Sequence, residues 1–227
     1  MIPTYTTEDA IDRTVAVLPV GSFEQHGRYL PLATDTIIAN TIARAIADTY
    51  PVLLLPPITI SCSHEHAAWP GTVSISAKTL YSVVTDIAES LERSGVPHLV
   101  IVNGHGGNYV LQNVVQESRG RMALFPGFED WEAVREAAGL EASAYEDMHA
   151  GELEVSLLLH AHPEVLRPGY ETSDHDGGSR RFLLTQGMGP YTESGVIGRA
   201  SLATARKGED LLAALVDAFR DYLDVWH

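Results

Sequence analysis

The sequence predicts an α/β fold: a three-layer sandwich in which a mainly parallel central sheet is flanked by helices. Short aliphatic runs, rich in β-branched residues, alternate along the chain with longer amphipathic segments. This alternation favours crossover connections, which make neighbouring strands parallel. The runs contain few polar residues, as expected of parallel strands that are buried on both faces. A length of 227 residues suits one compact unit, so residues 1–227 are predicted to form a single domain.

Four apolar runs are predicted to be the strands of this sheet. They are "TVAVLPV" (14–20), "VLLLPPITI" (52–60), "HLVIVNG" (98–104) and "MALFPGF" (122–128). Their β-branched and aliphatic residues are typical of strands. In a fold of this class, chemistry is expected in the crevice at the carboxyl ends of the strands.

Helices are predicted between and after the strands, because apolar residues there recur every three or four positions. The segments are 35–50, 78–95, 108–120, 131–139, 151–163 and 208–227. Gly95 and Gly120 are expected to end two of them, since glycine is favoured just beyond a helix. Residues 166–206 are rich in Gly, Ser and Thr and lack a clear period. We expect loops with at most a short strand in that region, acting as a lid or a subunit contact.

Composition and charge argue against several classes of partner. A formal net charge of −15 with only 15 Lys and Arg residues disfavours nucleic acid and anionic membrane surfaces. The apolar runs are too short to cross a bilayer and are interrupted by proline. The amino-terminal residues have no signal-peptide pattern, and the single Cys62 excludes an internal disulfide. We therefore expect a cytoplasmic protein without a nucleic-acid or membrane partner.

Acidic and histidine side chains follow the first and third predicted strands. Glu24 and His26 are two positions apart, so both leave the same face of an extended chain. Asp35 lies at the start of the next helix, whose dipole favours an ionised carboxylate. His105 follows the third strand within "NGHGGN", where glycines allow a close approach to a ligand. Imidazoles and carboxylates at neighbouring strand ends are the ligand types that Zn, Mn and Fe accept in hydrolytic sites.

A further candidate segment is "MHAGELE", in which His149 and Glu152 are three positions apart and Glu154 lies farther round a helix. Alternative interpretations exist for each of these residues. A Glu-x-His pair is often part of a solvated loop, and His105 alone would suit a buried structural histidine. Acidic residues in the first turn of a helix, such as Glu152 and Glu154, are favoured by its dipole whatever their function.

The segments "LPVGSFEQHGRYLPLATD", "NGHGGN" and "HAGELEVS", in this order and spacing, resemble the creatininase family of metal-dependent amidohydrolases. The similarity extends from about residue 15 to about residue 208 and covers most of the chain. The resemblance implies an α/β sandwich with a parallel sheet and two divalent metal ions per chain, with Zn, Mn and Fe left open. It implies that Glu24, His26, Asp35 and His105 are metal ligands, with Asp35 bridging. It also implies a homo-oligomer, for which hexamers are an expectation.

One position departs from creatininase, where a glutamate ligand stands two residues after the "NGH" histidine. Gly107 occupies that place in this chain, as in the "GHGGN" branch of the family. We expect the later helix to supply the missing carboxylate, with Glu152 as first choice for a ligand and catalytic residue and Glu154 as second. This departure also weakens creatinine as the substrate.

The resemblance further suggests which residues handle protons and line the pocket. His149 corresponds to the family histidine that transfers a proton to the leaving nitrogen. Tyr145 stands where creatininase has a tryptophan that covers the substrate. "SHEHAAWPGT" places Glu65, His66 and Trp69 in the wall of the pocket or of a neighbouring subunit's pocket, and Glu154 is assigned there too. Cys62 is interpreted as structural.

We therefore expect an enzyme in which a metal-activated water hydrolyses a C–N bond of a small linear, formyl or cyclic amide. The alternative within enzymes is a peptidase that trims a modified precursor peptide, as one family branch does. A long open groove would favour the peptidase, whereas a closed pocket capped by aromatic side chains would favour small molecules. A third possibility, from another class, is a catalytically silent metal-binding homologue.

Overall fold

A computed structural model describes residues 3–226 of the chain and contains one four-stranded sheet among them. The strand order is β2-β1-β3-β4, and every neighbouring pair is parallel. The strands are β1 (Val15–Val20), β2 (Leu53–Leu54), β3 (His98–Asn103) and β4 (Met122–Phe125). All four lie within the predicted runs. β2 is much shorter than its run because Pro56 and Pro57 have no N–H to donate to a neighbouring strand.

The helices of the described residues form the two outer layers and several connections. They are α1 (Thr7–Ala10), α2 (Thr34–Thr49), α3 (Ala77–Arg93), α4 (Val110–Glu117), α5 (Phe128–Ala137), α6 (Glu152–Ala161), α7 (Leu183–Gln186) and α8 (Ala205–Asp224). Gly95 and Gly120 have the positive φ expected of residues that end a helix. Within residues 3–226, no helix combines the length and the apolar character needed to cross a membrane.

Two parts of the chain differ in detail from the prediction. Residues 166–206 contain α7, short 3₁₀ turns and an isolated antiparallel bridge between His175 and Gly198. The final helix begins at Ala205, earlier than predicted, because the Thr204 hydroxyl accepts a hydrogen bond from the Lys207 N–H and caps it. The predicted end of this helix at His227 lies outside the described residues.

The core has two halves, one on each face of the sheet. Val15 and Val17 of β1 pack with apolar side chains of α2, α6 and α8, whereas the alternate residues Ala16 and Leu18 pack with those of α3 and α4. β1 is buried at every position, as expected of a central parallel strand. This arrangement confirms the predicted three-layer α/β sandwich.

The carboxyl ends of β1 and β3 lie side by side, with the first turn of α2 packed against both. Val20 pairs with Asn103 at these ends. A Cβ atom at Gly21 would lie 2.3 Å from the Thr36 Cα, and one at Gly104 would lie 2.5 Å from the Asp35 backbone oxygen. Only glycine permits this approach, so the two glycines place the start of α2 over the ends of both central strands.

We predict that Gly21→Ala destabilises the protein, because its new methyl group must displace the α2 backbone. Overpacking of this kind costs about 1–3 kcal/mol, which should appear in urea denaturation. Gly189→Ala is the matched control, since a Cβ atom there would make an ordinary contact of 3.5 Å with the Ala68 Cβ. Equal stabilities of the two variants would contradict the role given to Gly21.

Candidate metal centre

Three elements bring the candidate ligands to one place at the edge of the sheet. Glu24 and His26 follow β1, His105 follows β3, and Asp35 lies in the first turn of α2. All four side chains are buried, with at most 5% of each residue exposed. The cluster predicted from the sequence therefore lies at the carboxyl ends of β1 and β3, next to the start of α2.

Glu24, Asp35 and His105 form a first group, in which one ligand atom of each residue lies within 4.8 Å of the others. The His105 Nδ1 is 3.1 Å from the Asp35 Oδ2, and the His105 Nε2 is 3.2 Å from the Glu24 Oε2. The His105 Nε2 also lies 2.8 Å from the Cys62 carbonyl oxygen. Because a carbonyl only accepts, this contact holds the proton on Nε2 and leaves Nδ1 available to a metal ion.

His26, His149 and Glu154 form a second group of the same dimensions. The His26 Nε2 is 3.0 Å from the Asp35 Oδ1 and 3.8 Å from the Glu154 Oε1. The His26 Nδ1 faces the Glu24 carbonyl oxygen at 3.1 Å, which leaves Nε2 as its ligand atom. Asp35 thus presents one carboxylate oxygen to each group, the geometry that a bridging carboxylate requires.

His66, which was predicted as a pocket residue, lies inside the cluster. Its Nε2 is 3.1 Å from the Glu24 Oε1, and its Nδ1 is 2.9 Å from the Gln25 side-chain nitrogen. The same Gln25 nitrogen donates to the Gly195 carbonyl oxygen at 2.9 Å. Gln25 therefore orients the His66 ring toward Glu24. Sequence analysis did not single out Gln25, although its position between two candidate ligands was a signal.

Glu152, predicted as a metal ligand and a catalytic residue, lies outside the groups of candidate ligands. Its fully buried carboxylate accepts hydrogen bonds from the Glu141 and Ala142 backbone N–H groups and from the Lys207 Nζ at 2.6 Å. These contacts tie the loop before α6 to α8 and satisfy the carboxylate completely. Glu154, the second choice, faces His26 and lies in the second group.

Neither Tyr145 nor Trp69 forms an aromatic lid over the candidate ligands. Tyr145 is 59% exposed, its hydroxyl donates to the Gly178 carbonyl oxygen, and the Arg180 guanidinium lies 4.0 Å from its ring centroid. These contacts fix it against residues 178–180 and not over the candidate ligands. Trp69 lies beside His66, with ring centroids 6.5 Å apart, and lines a separate cavity with Gln25 and Arg28.

The buried charges of the cluster shift the pKa values of its members. Burial raises the pKa of Asp35, yet the charge of His26 and a hydrogen bond from His105 outweigh burial and hold that pKa well below its usual range. Burial lowers the pKa of His26, but the charge of Asp35 outweighs it and raises that pKa well above its usual value. Burial also lowers the pKa of His149 to about 4, assisted by the charge of His26. His149 is therefore neutral near pH 7.

Glu24 provides the sharpest test of whether a metal ion fits. Burial raises its pKa, and neither carboxylate oxygen has a hydrogen-bond partner of acceptable geometry within the described part of the chain. Leaving a buried acceptor unpaired costs about 1–3 kcal/mol. Across residues 3–226, the ion-pair partners of Glu24, Asp35 and Glu154 are all histidines. Carboxylate and imidazole atoms that converge in this way, without lysine or arginine, fit divalent metal ions.

A small cavity of about 110 Å³ lies over the cluster and is lined by Asp35, Glu65, His105 and Glu154 among others. It shares Glu65 and Gly107 with a larger cavity of about 450 Å³. It shares His105 and Glu154 with a third cavity of about 240 Å³. The cluster thus borders three cavities that share lining residues.

Known proteins resemble this chain over almost its whole length. The family model described as Creatininase, creatinine amidohydrolase, matches residues 3–223. The mycofactocin precursor peptide peptidase of Mycobacterium ulcerans (strain Agy99) is 35% identical over 216 residues, which cover 88% of this chain and 81% of that protein. The creatinine amidohydrolase of Pseudomonas putida is 25% identical over 242 residues, covering 96% and 91%.

A solved structure described as "Creatininase Mn" shares the fold, with a TM-score of 0.80 at 23% identity and 96% of both chains covered. The family match spans the strands and all the candidate ligands described above. The chain belongs to the creatininase family of hydrolases.

Proposed function

We propose that this chain is a metal-dependent hydrolase that cleaves an amide bond within a peptide, the alternative activity considered from the sequence. The observation that carries this choice is that the small cavity over the cluster shares lining residues with two larger cavities, of about 450 and 240 Å³. A substrate longer than a small amide can occupy these neighbouring cavities with its scissile bond near the buried ligands. The similarity to a precursor peptide peptidase, at 35% identity, supports the same choice.

In this proposal Glu24, Asp35 and His105 would hold one divalent ion, and His26, Asp35 and Glu154 would hold a second. The contacts of Asp35 on both sides support its role as the shared ligand. When bound, such ions activate a water molecule and polarise the amide carbonyl. Zn, Mn and Fe all suit this mixed set of oxygen and nitrogen ligands.

His149 is proposed to move the proton from the attacking water to the leaving nitrogen. Its Nε2 lies 2.7 Å from the Gln25 carbonyl oxygen, so Nε2 carries a proton and Nδ1 is the basic atom. The His149 backbone pairs with that of Ile197, which fixes the ring beside both groups of ligands. A neutral imidazole with a free Nδ1 can accept a proton and return it to the amine, as hydrolysis of an amide requires.

Hydrolysis of a small amide is the second candidate, and the similarity to a creatinine amidohydrolase favours it. Tyr145, the expected aromatic cap, lines none of the three cavities, whereas Tyr109 lines two of them. The expectations of a homo-oligomer, of hexamers and of a cytoplasmic location stay predictions.

We predict that the metal-loaded protein cleaves linear peptides faster than formamides or cyclic amides of equal concentration. Mass spectrometry in ¹⁸O-labelled water would show one labelled oxygen in the new carboxylate. Glu24→Gln serves as the inactive control, because it removes an anionic ligand. Turnover of cyclic amides or formamides, with no cleavage in a diverse peptide library, would replace the peptidase proposal with the second candidate.

We predict that Glu154→Gln lowers the metal content, whereas Glu152→Gln lowers the free energy of unfolding. Glu154→Gln should lower the bound metal by about one equivalent while leaving the unfolding free energy nearly unchanged in chelator, since Glu154 is a proposed ligand. Glu152→Gln should keep the metal but lower stability by about 1–3 kcal/mol, because buried hydrogen bonds are weakened. Elemental analysis and urea denaturation measure the two quantities. Metal loss in Glu152→Gln alone would restore the original assignment.

We predict that His149→Ala lowers kcat by about 10²–10⁴-fold, the range typical of a general acid–base group. Bound metal should change much less, because the ligands proposed above remain. Single-turnover cleavage and metal content, measured on the same preparation, separate the two effects. Parallel loss of metal and activity would make His149 a ligand and leave the proton transfer without a residue.

A further inference from the structure

Gln25, which lies between the candidate ligands Glu24 and His26, has a side-chain amide whose orientation is fixed by the main chain. Its Oε1 accepts a hydrogen bond of 2.9 Å from the Gly27 N–H, and its Nε2 donates one of 2.9 Å to the Gly195 carbonyl oxygen. Turning the amide over would place its nitrogen against an N–H group and its oxygen against a carbonyl. The two main-chain partners therefore define which end of the amide is the donor.

The loop that contains Gly195 encloses this amide. A Cβ atom at Gly195 would lie 1.7 Å from the Gln25 Oε1, and the φ of +88° also favours glycine there. The Gly195 N–H donates to the Thr192 hydroxyl oxygen at 3.1 Å, which holds the loop in place. Only 4% of Gln25 is exposed, so water does not compete for its amide. The amide is thus a rigid part of the site.

This amide determines where the His66 ring carries its proton. The His66 Nδ1 lies 2.9 Å from the Gln25 Nε2, and an amide nitrogen only donates, so Nδ1 presents a lone pair. A protonated ring would place a second hydrogen against the amide, so the contact requires a neutral ring with its proton on Nε2. The third neighbour of the amide nitrogen, the His149 Nε2, donates instead to the Gln25 carbonyl oxygen at 2.7 Å. Both amide hydrogens therefore remain for Gly195 and His66.

The His66 Nε2–H borders the small cavity over the cluster. Within residues 3–226 it has no acceptor of acceptable geometry, because the Glu24 Oε1, although 3.1 Å away, is left without a hydrogen bond. His66 is only 2% exposed, and it lines the cavity of about 110 Å³ together with Asp35 and Glu154. A buried donor without a partner is costly. A molecule in this cavity that offers an oxygen removes that cost.

Gln25 thus gives two neighbouring histidines opposite roles. Its side chain leaves His66 with a hydrogen on Nε2, whereas its main-chain carbonyl leaves His149 with a lone pair on Nδ1. The two ring centroids are 4.4 Å apart. Glu24, His66 and His149 are close enough together to form a third group of candidate ligands, but the proton on the His66 Nε2 keeps this nitrogen from binding an ion. His66 is therefore a donor to an uncharged or anionic oxygen.

Hydrolysis of an amide supplies such an oxygen. When water attacks, negative charge develops on the carbonyl oxygen of the amide, and a donor that is oriented beforehand stabilises it without reorganisation. A neutral imidazole suits this position, because it adds no positive charge to a site built for cations.

We propose that His66 is a catalytic residue whose Nε2–H donates a hydrogen bond to the carbonyl oxygen of the bound amide, and that Gln25 is the positioning residue that holds His66 in this form. The inference rests on the proposed function in assuming that an amide is hydrolysed beside the cluster. It holds equally for a peptide and for a small amide.

Two substitutions of His66 test the role of its donor. Glutamine can place an amide nitrogen near the former Nε2, whereas phenylalanine keeps a ring without a donor. On the substrate that the wild type cleaves fastest, His66→Phe should lower kcat about 10²–10³-fold, the cost of removing one such donor. His66→Gln should keep a kcat at least roughly tenfold higher than that of His66→Phe, because its amide can still donate a hydrogen bond. Zn²⁺ content should equal that of the wild type in both variants.

The outcomes separate the possible roles of His66. Equal loss of kcat in the two variants would overturn the inference, since a proton carrier cannot be replaced by glutamine. Loss of Zn²⁺ in both variants would also overturn it and make His66 a metal ligand or a support of Glu24. A wild-type protein that hydrolyses neither peptides nor small amides would instead overturn the proposed function.

Nuclear magnetic resonance of the Zn²⁺-loaded protein with ¹⁵N-labelled histidine tests the position of the proton, whether or not the variants fold. The wild type should show His66 protonated at Nε2 and unprotonated at Nδ1. Gln25→Glu replaces the amide donor with an acceptor, so the proton should move to Nδ1 and kcat should fall. The exposed Gln112 of α4 provides the control, since Gln112→Glu should change neither. A proton on the His66 Nδ1 in the wild type would overturn the inference.

Discussion

The structure depends on one electrostatic constraint, a set of carboxylates buried at the ends of the central strands without a lysine or arginine partner in the described chain. Glu24 has 0% exposure and Asp35 has 1%, so water stabilises neither charge. An uncompensated buried carboxylate costs several kcal/mol. Protonated histidines supply the balancing charge when no ion is bound, as the raised pKa values of His26 and His105 indicate. A divalent ion that replaces those protons removes the conflict, so ion binding should release protons.

The scaffold meets this constraint by rigid placement of the ligands. Parallel pairing brings the ends of β1 and β3 together, and Gly21 and Gly104 allow α2 to approach both. Backbone carbonyl groups of Glu24 and Cys62 then orient the rings of His26 and His105, so that each keeps one nitrogen for a metal. The ligands are thus arranged by strand pairing and main-chain contacts, which few substitutions elsewhere in the chain can disturb.

The sequence was sufficient for the sheet, for the helices of both layers and for the grouping of Glu24, His26, Asp35 and His105. These features follow from local patterns, because residues at the carboxyl ends of adjacent parallel strands must meet. Local patterns could not indicate which of Glu152 and Glu154 faces the candidate metal ligands. Both lie in the first turn of α6, and their direction depends on how that helix is rotated.

That rotation is set by contacts distant in sequence or in a preceding loop. Asp147 accepts a hydrogen bond from the Leu153 N–H at 3.0 Å. Lys207 of α8 donates a hydrogen bond to the Glu152 carboxylate. The sequence predicted Glu65 in the pocket wall, but not its contact with His105, because the 3₁₀ turn that carries it is held by the distant Met188 N–H. Residues 178–180, which hold Tyr145 by a hydrogen bond and a cation–π contact, likewise lie far along the chain.

The most direct test of the central claim is elemental analysis of the wild-type protein, purified without a tag or chelator and reloaded with Zn²⁺ or Mn²⁺. The account predicts two equivalents of divalent metal per chain, since Asp35 offers one oxygen to each of two groups. A protein that remains folded but retains no metal after reloading would contradict it. The buried carboxylates would then be balanced by protonated histidines alone, and no hydrolytic role would follow from them.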